Sequence, residues 1–341
     1  MTIENASPEM KRIAVIGAGS WGTALAMVAA RNQHDVRLWA REEEVALAIQ
    51  STRRNPFYLS DFDLPENIGA TTSLEEALED ADCAIIVVPS HAMREMIERT
   101  GPHLSAETVI VSATKGVENV TLMRMSEVIA DVLGDEFKTR VVALSGPSFA
   151  REVALEDPTA IVAASSNLAC SEMVQLALSS NLFRVYTNDD VVGAELGGAV
   201  KNVVAIASGV VRGLGFGTNS VAAIITRGLR EMTRLASACG ARGETLAGLA
   251  GLGDLVLTCT GELSRNRKVG IELGRGRKLT DILADMREVA EGVKTTRAIY
   301  EMARRINVDM PITAATYALL YEDAPALEAA NKLMERPLKR E

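Results

Sequence analysis

Up to about residue 190 the chain carries its apolar residues in short unbroken runs; beyond it they recur in longer stretches at helical spacing. The runs are KRIAVIG (11–17), DVRLWA (35–40), CAIIVVPS (83–90), TVIVSATKG (108–116) and VVALSGPS (141–148), then the shorter TAIVAAS and FRVY, ending near 187. Continuous apolar runs are expected of parallel strands covered on both faces, where a half-exposed antiparallel sheet would alternate. TALAMVAARN, after the first run, has the small and apolar spacing of a helix, and 51–80 reads as loop-rich and then helical. Thr187-Asn188-Asp189-Asp190 is a good helix start, and helical patterns dominate from there. The pattern predicts an α/β fold: a doubly wound sheet over 11–189, then an all-α C-terminal domain over 190–341. Residues 1–10 read as a loose tail without the basic and apolar regions of a signal peptide.

The first apolar run enters GAGSWG, which sets Gly17, Gly19 and Gly22 in G-x-G-x-x-G spacing between a strand and a helix. That context makes the triplet a dinucleotide-binding signature of Rossmann type. The first glycine makes the turn, the second lets backbone N–H groups approach a pyrophosphate, and the third lets helix and strand pack closely. The second strand ends in Arg41, where an acidic residue would be expected for a ribose 2′-hydroxyl. A guanidinium suits the 2′-phosphate of NADP(H), although one of Glu42, Glu43 and Glu44 could serve the ribose of NAD(H) instead. Three later strands end in polar turns, at Pro89-Ser90-His91, at Lys115-Gly116 and at Gly146-Pro147-Ser148. The carboxyl ends of strands in open α/β sheets line the ligand crevice. Lys115 is either a plain surface lysine or placed to reach a phosphate or carbonyl, Ser148 can cap the next helix, and His91 is a turn residue or a ligand contact.

The helical half opens with GAELGGAVKNVVAIASGVV (193–211), where only Glu195 and Lys201 are charged. It reads as a buried helix, in which Lys201 either has its pKa pulled down by burial or snorkels its head out to water. Glu195 is six positions from Lys201 and turns to another face, since helix partners lie three or four apart. Asp254 is the only carboxylate between Glu244 and Glu262 and stands in an apolar run. An aspartate there needs a cation or donors to stay ionised, so it is expected to pair with Lys201. Ser264-Arg265-Asn266-Arg267-Lys268 follows, with Ser264 as helix N-cap and the arginines beside the helix start, which reads as a phosphate site or else as a solvated basic helix start.

Composition narrows the partners. The net charge of −9 argues against nucleic acid, and an anionic ligand must be held by a local basic cluster. No apolar run is expected to reach the roughly 20 residues of a membrane helix. Cys83, Cys170, Cys239 and Cys259 are scattered, as are His34, His91 and His103, so neither a disulfide framework nor a structural metal is expected.

GAGSWGTALA, VVPSH, ATKG, SGPSFA, LGGAVKN, GFGTNS, AGLGDLVLTCT, SRNRK and VAEG, in that order, resemble the bacterial NAD(P)-dependent glycerol-3-phosphate dehydrogenases from about residue 11 to about 320. The resemblance implies reduction of dihydroxyacetone phosphate to sn-glycerol 3-phosphate, a phospholipid precursor, by a cytoplasmic homodimer. It implies that Lys201 is the catalytic acid/base, with Asp254 and Lys115 arranging the field. It makes Lys115, Gly146, Ser148, Lys201, Asp254, Ser264, Arg265 and Asn266 the substrate contacts. Gly17, Gly19, Ser20, Trp21, Gly22, Arg41, Lys115, Ala150, Arg265, Val289 and Glu291 become the contacts of NADP(H), with NAD(H) accepted. Two rivals share the glycine signature. A β-hydroxyacid dehydrogenase would need a substrate carboxylate, and a cofactor-sensing module would have no use for Lys201 with Asp254.

Overall fold

The computed structural model describes residues 11–286, 290–338 and 340. The tail assigned to 1–10 therefore lies outside the described residues, as does Val289. Eight strands appear in chain order: β1 (Arg12–Ile16), β2 (Asp35–Trp39), β3 (Ile68–Thr71), β4 (Cys83–Ile86), β5 (Val109–Ser112), β6 (Val141–Ser145), β7 (Thr159–Ala164) and β8 (Phe183–Asn188). They form one sheet in the order 3-2-1-4-5-6-7-8. All neighbours run parallel except β6 and β7, which are antiparallel. Around the strands lie α1 (Ser20–Arg31), α2 (Glu43–Thr52), α3 (Leu74–Leu78), α4 (Met93–Thr100), α5 (Met125–Leu133), α6 (Ala150–Ala154) and α7 (Leu168–Leu178).

The strand order reverses between β1 and β4, so the connections leaving their carboxyl ends run to opposite sides and open the crevice that doubly wound sheets offer to ligands. Register puts those ends level, with Ile16 beside Ile86. The covered strands explain the unbroken runs: Val15, Ile85 and Val111 are all fully buried in one core with Leu25 of α1. β3 corrects the reading of 51–80 as loop and helix. It pairs with β2 at the sheet edge and spans only IGAT, too short to show a period.

The chain divides into two compact units. One runs up to Val88 and takes in Ala92–Thr114 and Ser126–Val191; the other holds Pro89–His91, Lys115–Met125 and everything from Val192. The second unit is helical, with α8 (Val191–Gly213), α9 (Thr218–Ala238), α10 (Gly243–Ala247), α11 (Asp254–Thr260), α12 (Arg265–Gly274), α13 (Leu279–Ala284), α14 (Glu291–Arg305), α15 (Pro311–Tyr321) and α16 (Ala326–Met334). A π-helical turn, Leu249–Gly253, leads into α11.

α8 overturns the expectation that no run reaches membrane-helix length. It has 23 residues, and over its most apolar 18 residues the mean hydropathy is 1.3 and 89% is buried inside the protein. Every residue from Gly193 to Val211 is buried. Over that stretch the helix is buried all round because other helices surround it, and its few polar side chains there, Glu195, Lys201, Asn202 and Ser208, are buried with it. Its contact with α12 is backbone on backbone: a Cβ on Gly209 would fall on the Arg267 carbonyl oxygen, and one on Gly270 on that of Ile206. The crossing therefore holds α12, and the residues at its start, close against α8.

Candidate active site

In the sheet unit, the chain leaves β1 at Gly17 with φ +123°, a conformation that side chains with a Cβ rarely adopt. A Cβ on Gly22 would fall on the Gly17 carbonyl oxygen, whereas one on Gly19 would meet nothing within 4 Å. Gly19 is also the N-cap of α1 and supplies no side-chain cap. The turn is thus tight at Gly17 and Gly22 and open at Gly19, the shape a pyrophosphate needs to meet a helix N-terminus. The indole Nε1 of Trp21 is buried there without a hydrogen-bond partner among the described residues. Asn55, which the sequence reading missed, holds the turn from below. Its Nδ2 donates to the Ala18 carbonyl (2.9 Å) and to Thr23 Oγ1 (3.0 Å), and its Oδ1 accepts from the N–H groups of Phe57 and Tyr58. The Asn55-Pro56 turn dipeptide was its only sequence signal. These residues fit a dinucleotide.

Arg41 is exposed and bonds Glu42 Oε1 through Nε (2.9 Å) and Nη2 (2.5 Å). Gly146 has φ +134°. Ser148 does not cap the following helix, contrary to expectation. Phe149 is the N-cap of α6, and the Ser148 hydroxyl donates back to the Gly146 carbonyl at 3.1 Å. The chain enters α6 one residue later than the sequence suggested, with Ala150 as its first residue.

In the helical unit, Lys201 and Asp254 are brought together from α8 and α11. Lys201 Nζ donates to Asp254 Oδ1 at 2.6 Å and to Thr258 Oγ1 at 2.8 Å. Thr258 lies one turn beyond Asp254 and donates its hydroxyl to the Asp254 carbonyl (2.7 Å). It was missed, although a hydroxyl four residues past a buried aspartate was legible as a same-face neighbour. Close approach of the two elements is possible because Gly197 packs on the Ala250 carbonyl of the π-helical turn.

The other carboxylate oxygen, Asp254 Oδ2, accepts from Lys115 Nζ at 2.7 Å. Lys115 arrives on a hairpin-like loop closed by a bridge between Val117 and Arg124. Arg124 Nη1 is tied to α8 by Glu195 Oε2 at 2.6 Å. So Glu195 serves the loop that carries Lys115, while Asp254 serves both lysines.

The Asp254 side chain is 1% exposed, that of Lys201 10% and that of Lys115 15%. Burial lowers the Lys201 pKa to about 8, with Asp254 opposing that shift and Lys115 adding to it. Burial alone would raise the Asp254 carboxyl, but the two ammonium groups outweigh it and hold it below its ordinary value. One carboxylate between two ammonium groups leaves a net positive, nearly dry centre.

Ser264 caps α12, accepting from the Arg267 N–H at 3.2 Å. Arg265 follows as the first residue of the helix, exposed, and Asn266 is buried. Asn266 Nδ2 donates to Asn202 Oδ1 and its Oδ1 accepts from the Gly292 N–H, both at 2.9 Å. Asn202, beside Lys201, was also missed. Through Asn202 and Gly292, Asn266 ties the start of α12 to both α8 and α14. Glu291 opens α14 and accepts from the Ser90 N–H at 3.3 Å. Burial raises its pKa against the pull of Arg265. His91 is exposed in the turn after β4.

Two family models cover most of the chain: the NAD-dependent glycerol-3-phosphate dehydrogenase N-terminus matches residues 12–171, and the corresponding C-terminus matches 190–331. The glycerol-3-phosphate dehydrogenase [NAD(P)+] of Koribacter versatilis is 56% identical over 96% of this chain and 98% of its own. That of Geobacter sp. (strain M21) is 54% identical over 97% of this chain and 99% of its own. The crystal structure of glycerol-3-phosphate dehydrogenase from Coxiella burnetii superposes with a TM-score of 0.91 at 43% identity, covering 96% and 99% of the two chains. These likenesses agree with a glycine turn shaped for a dinucleotide and a buried lysine–aspartate–lysine centre, and the chain belongs to the NAD(P)-dependent glycerol-3-phosphate dehydrogenase family.

Proposed function

We propose that the chain reduces dihydroxyacetone phosphate to sn-glycerol 3-phosphate, reversibly, with Lys201 as general acid/base. The observation that carries this reading is the hydrogen bonding of Lys201. Asp254 and Thr258 take two of its three N–H groups, which leaves one for a substrate oxygen. NAD(P)H, held by Gly17, Gly19, Ser20, Trp21, Gly22, Arg41, Lys115, Ala150, Arg265, Val289 and Glu291, supplies the hydride when bound.

As the C2 carbonyl becomes an alkoxide, Lys201 stabilises the charge and gives it the proton. Positioned proton transfer of this kind is worth about 10²–10⁴-fold. With its pKa near 8, Lys201 is mostly protonated at neutral pH yet close enough to give up the proton and regain it from water. Asp254 keeps the ammonium charged and aimed, and Lys115 adds a second cation to the field. Arg265, Asn266 and Ser264, with Lys115, Gly146 and Ser148, bind the phosphorylated substrate; a guanidinium at a helix N-terminus suits its phosphate.

Arg41 favours NADPH, with NADH accepted, and Glu42 must release it to a 2′-phosphate. The same reading makes the protein a cytoplasmic homodimer whose product feeds phospholipid synthesis. The test is absorbance at the nicotinamide band with the purified chain, dihydroxyacetone phosphate and either NADPH or NADH. Oxidation of the cofactor is expected, faster with NADPH, and Arg41→Ala should bring the two rates together. No oxidation with either cofactor overturns the reading.

A further inference from the structure

A second basic cluster lies in the helical unit, in a cleft of about 350 Å³ lined by Arg212, Gly215, Phe216, Arg267, Ile271 and Arg275. Three of its six lining residues are arginines and none is acidic, in a chain whose net charge is −9. The arginines come from the end of α8 and from both ends of α12. Arg212 Nη1 donates to the Phe216 carbonyl at 3.4 Å. Arg275 bonds Glu272, which also takes Arg277, so one carboxylate is divided between two guanidinium groups. Arg267 Nε is buried and has no hydrogen-bond partner among the described residues. A buried guanidinium donor without a partner costs stability unless something accepts from it.

We propose that this cleft is a second anion site, for a phosphate monoester with an apolar arm. Three guanidinium groups offer more donors than one carboxylate can use and suit the several oxygens of a dianionic phosphate. Phe216 and Ile271 give the cleft an apolar wall beside the charges. The site is distinct from the one at Arg265. Arg265 and Arg267 are two apart, and residues at that spacing leave a helix on different faces. Both belong to the first turn of α12, and the Arg267 N–H is the donor to the Ser264 cap. An anion drawn onto Arg267 therefore acts on the turn that presents Ser264, Arg265 and Asn266, so the cleft can regulate the binding of substrate.

The experiment is calorimetry on the full chain saturated with NADPH and glycerol 3-phosphate, two reduced species that cannot react and that occupy the proposed substrate site. Phenyl phosphate is the probe, with inorganic phosphate in a parallel titration. One phenyl phosphate per chain is expected to bind, more tightly than inorganic phosphate. Arg212→Glu and Arg275→Glu, both at exposed positions, should each weaken it by at least about tenfold while leaving kcat without the probe unchanged. Absence of binding to the saturated protein, or affinity that both variants keep, overturns the site. Equal affinity for the two probes overturns the apolar arm. Nicotinamide absorbance on the same preparations shows whether the catalytic site is competent, which separates a failed cleft from a failed active site.

Discussion

Replacing Asp254 by asparagine keeps the shape of the side chain and removes the charge that two ammonium groups share. Lys201 Nζ stands 2.6 Å and Lys115 Nζ 2.7 Å from its oxygens, and with the carboxylate 1% exposed there is little water to screen either pair. Removing one partner of a buried pair costs about 3–5 kcal/mol. Part of that falls on Lys115, so the share of Lys201 corresponds to about 2–3 pKa units, at 1.36 kcal/mol each. The Lys201 pKa should then drop from about 8 to about 5–6. At pH 7 the protonated fraction falls from about nine-tenths to between about a tenth and a hundredth. The kcat/KM for reduction should fall ~10–100-fold at pH 7, and most of it should return near pH 5. The sign is set by the reaction: reduction needs the protonated lysine, so in the parent its rate declines as pH rises through about 8, whereas oxidation gains there. The assay is the pH profile of kcat/KM in both directions. A deficit equal at every pH, with the limb still near 8, would falsify the assignment of Asp254 as the group that keeps Lys201 charged.

Three further outcomes can be measured. Lys201→Ala should lower kcat by about 10²–10⁴-fold while the NADPH Kd, read by fluorescence titration, moves little; comparable losses in both would reject Lys201 as the acid. Arg265→Ala should mainly raise KM for dihydroxyacetone phosphate, by roughly ten- to a hundredfold for a charge-assisted phosphate contact. An unchanged KM removes Arg265 from the phosphate site. Gly270→Ala puts a methyl group on the Ile206 carbonyl, overpacking that costs about 1–3 kcal/mol and roughly 2–10 °C of Tm. Because α12 carries Arg265, KM should rise as well, and a variant with parental Tm and KM would show that the crossing has slack.

Much was legible before any coordinates. The unbroken runs that become β1, β4, β5 and β6 name a parallel sheet because burial on both faces leaves no polar position to alternate. The glycines at 17, 19 and 22 are legible because their geometry is local: strand, turn and helix start lie within a dozen residues of each other. Lys201 and Asp254 could be singled out because a charge in an apolar run is costly, and cost is a property of the neighbours in sequence. The N-cap at Ser264 is local in the same way.

What the sequence left open is what depends on distant segments. β3 is too short to carry a period and exists because β2 offers it an edge. Ser148 does not cap α6 because the extended residue that enters the helix is Phe149, which leaves Ser148 one position short, its hydroxyl donating back to the Gly146 carbonyl. α8 could be read as buried but not as long enough to cross a membrane, and only the helices around it show where its apolar surface goes. The largest gap is Lys115. By sequence it ends a strand of the sheet, yet it belongs with the helical unit and shares Asp254 with Lys201, 139 and 53 residues away from that carboxylate. Local pattern sets which groups are expensive to bury. Which of them meet, and so which pKa values shift and which N–H is left for a substrate, is decided only when helix crossings such as Gly209 on Gly270 close the tertiary structure.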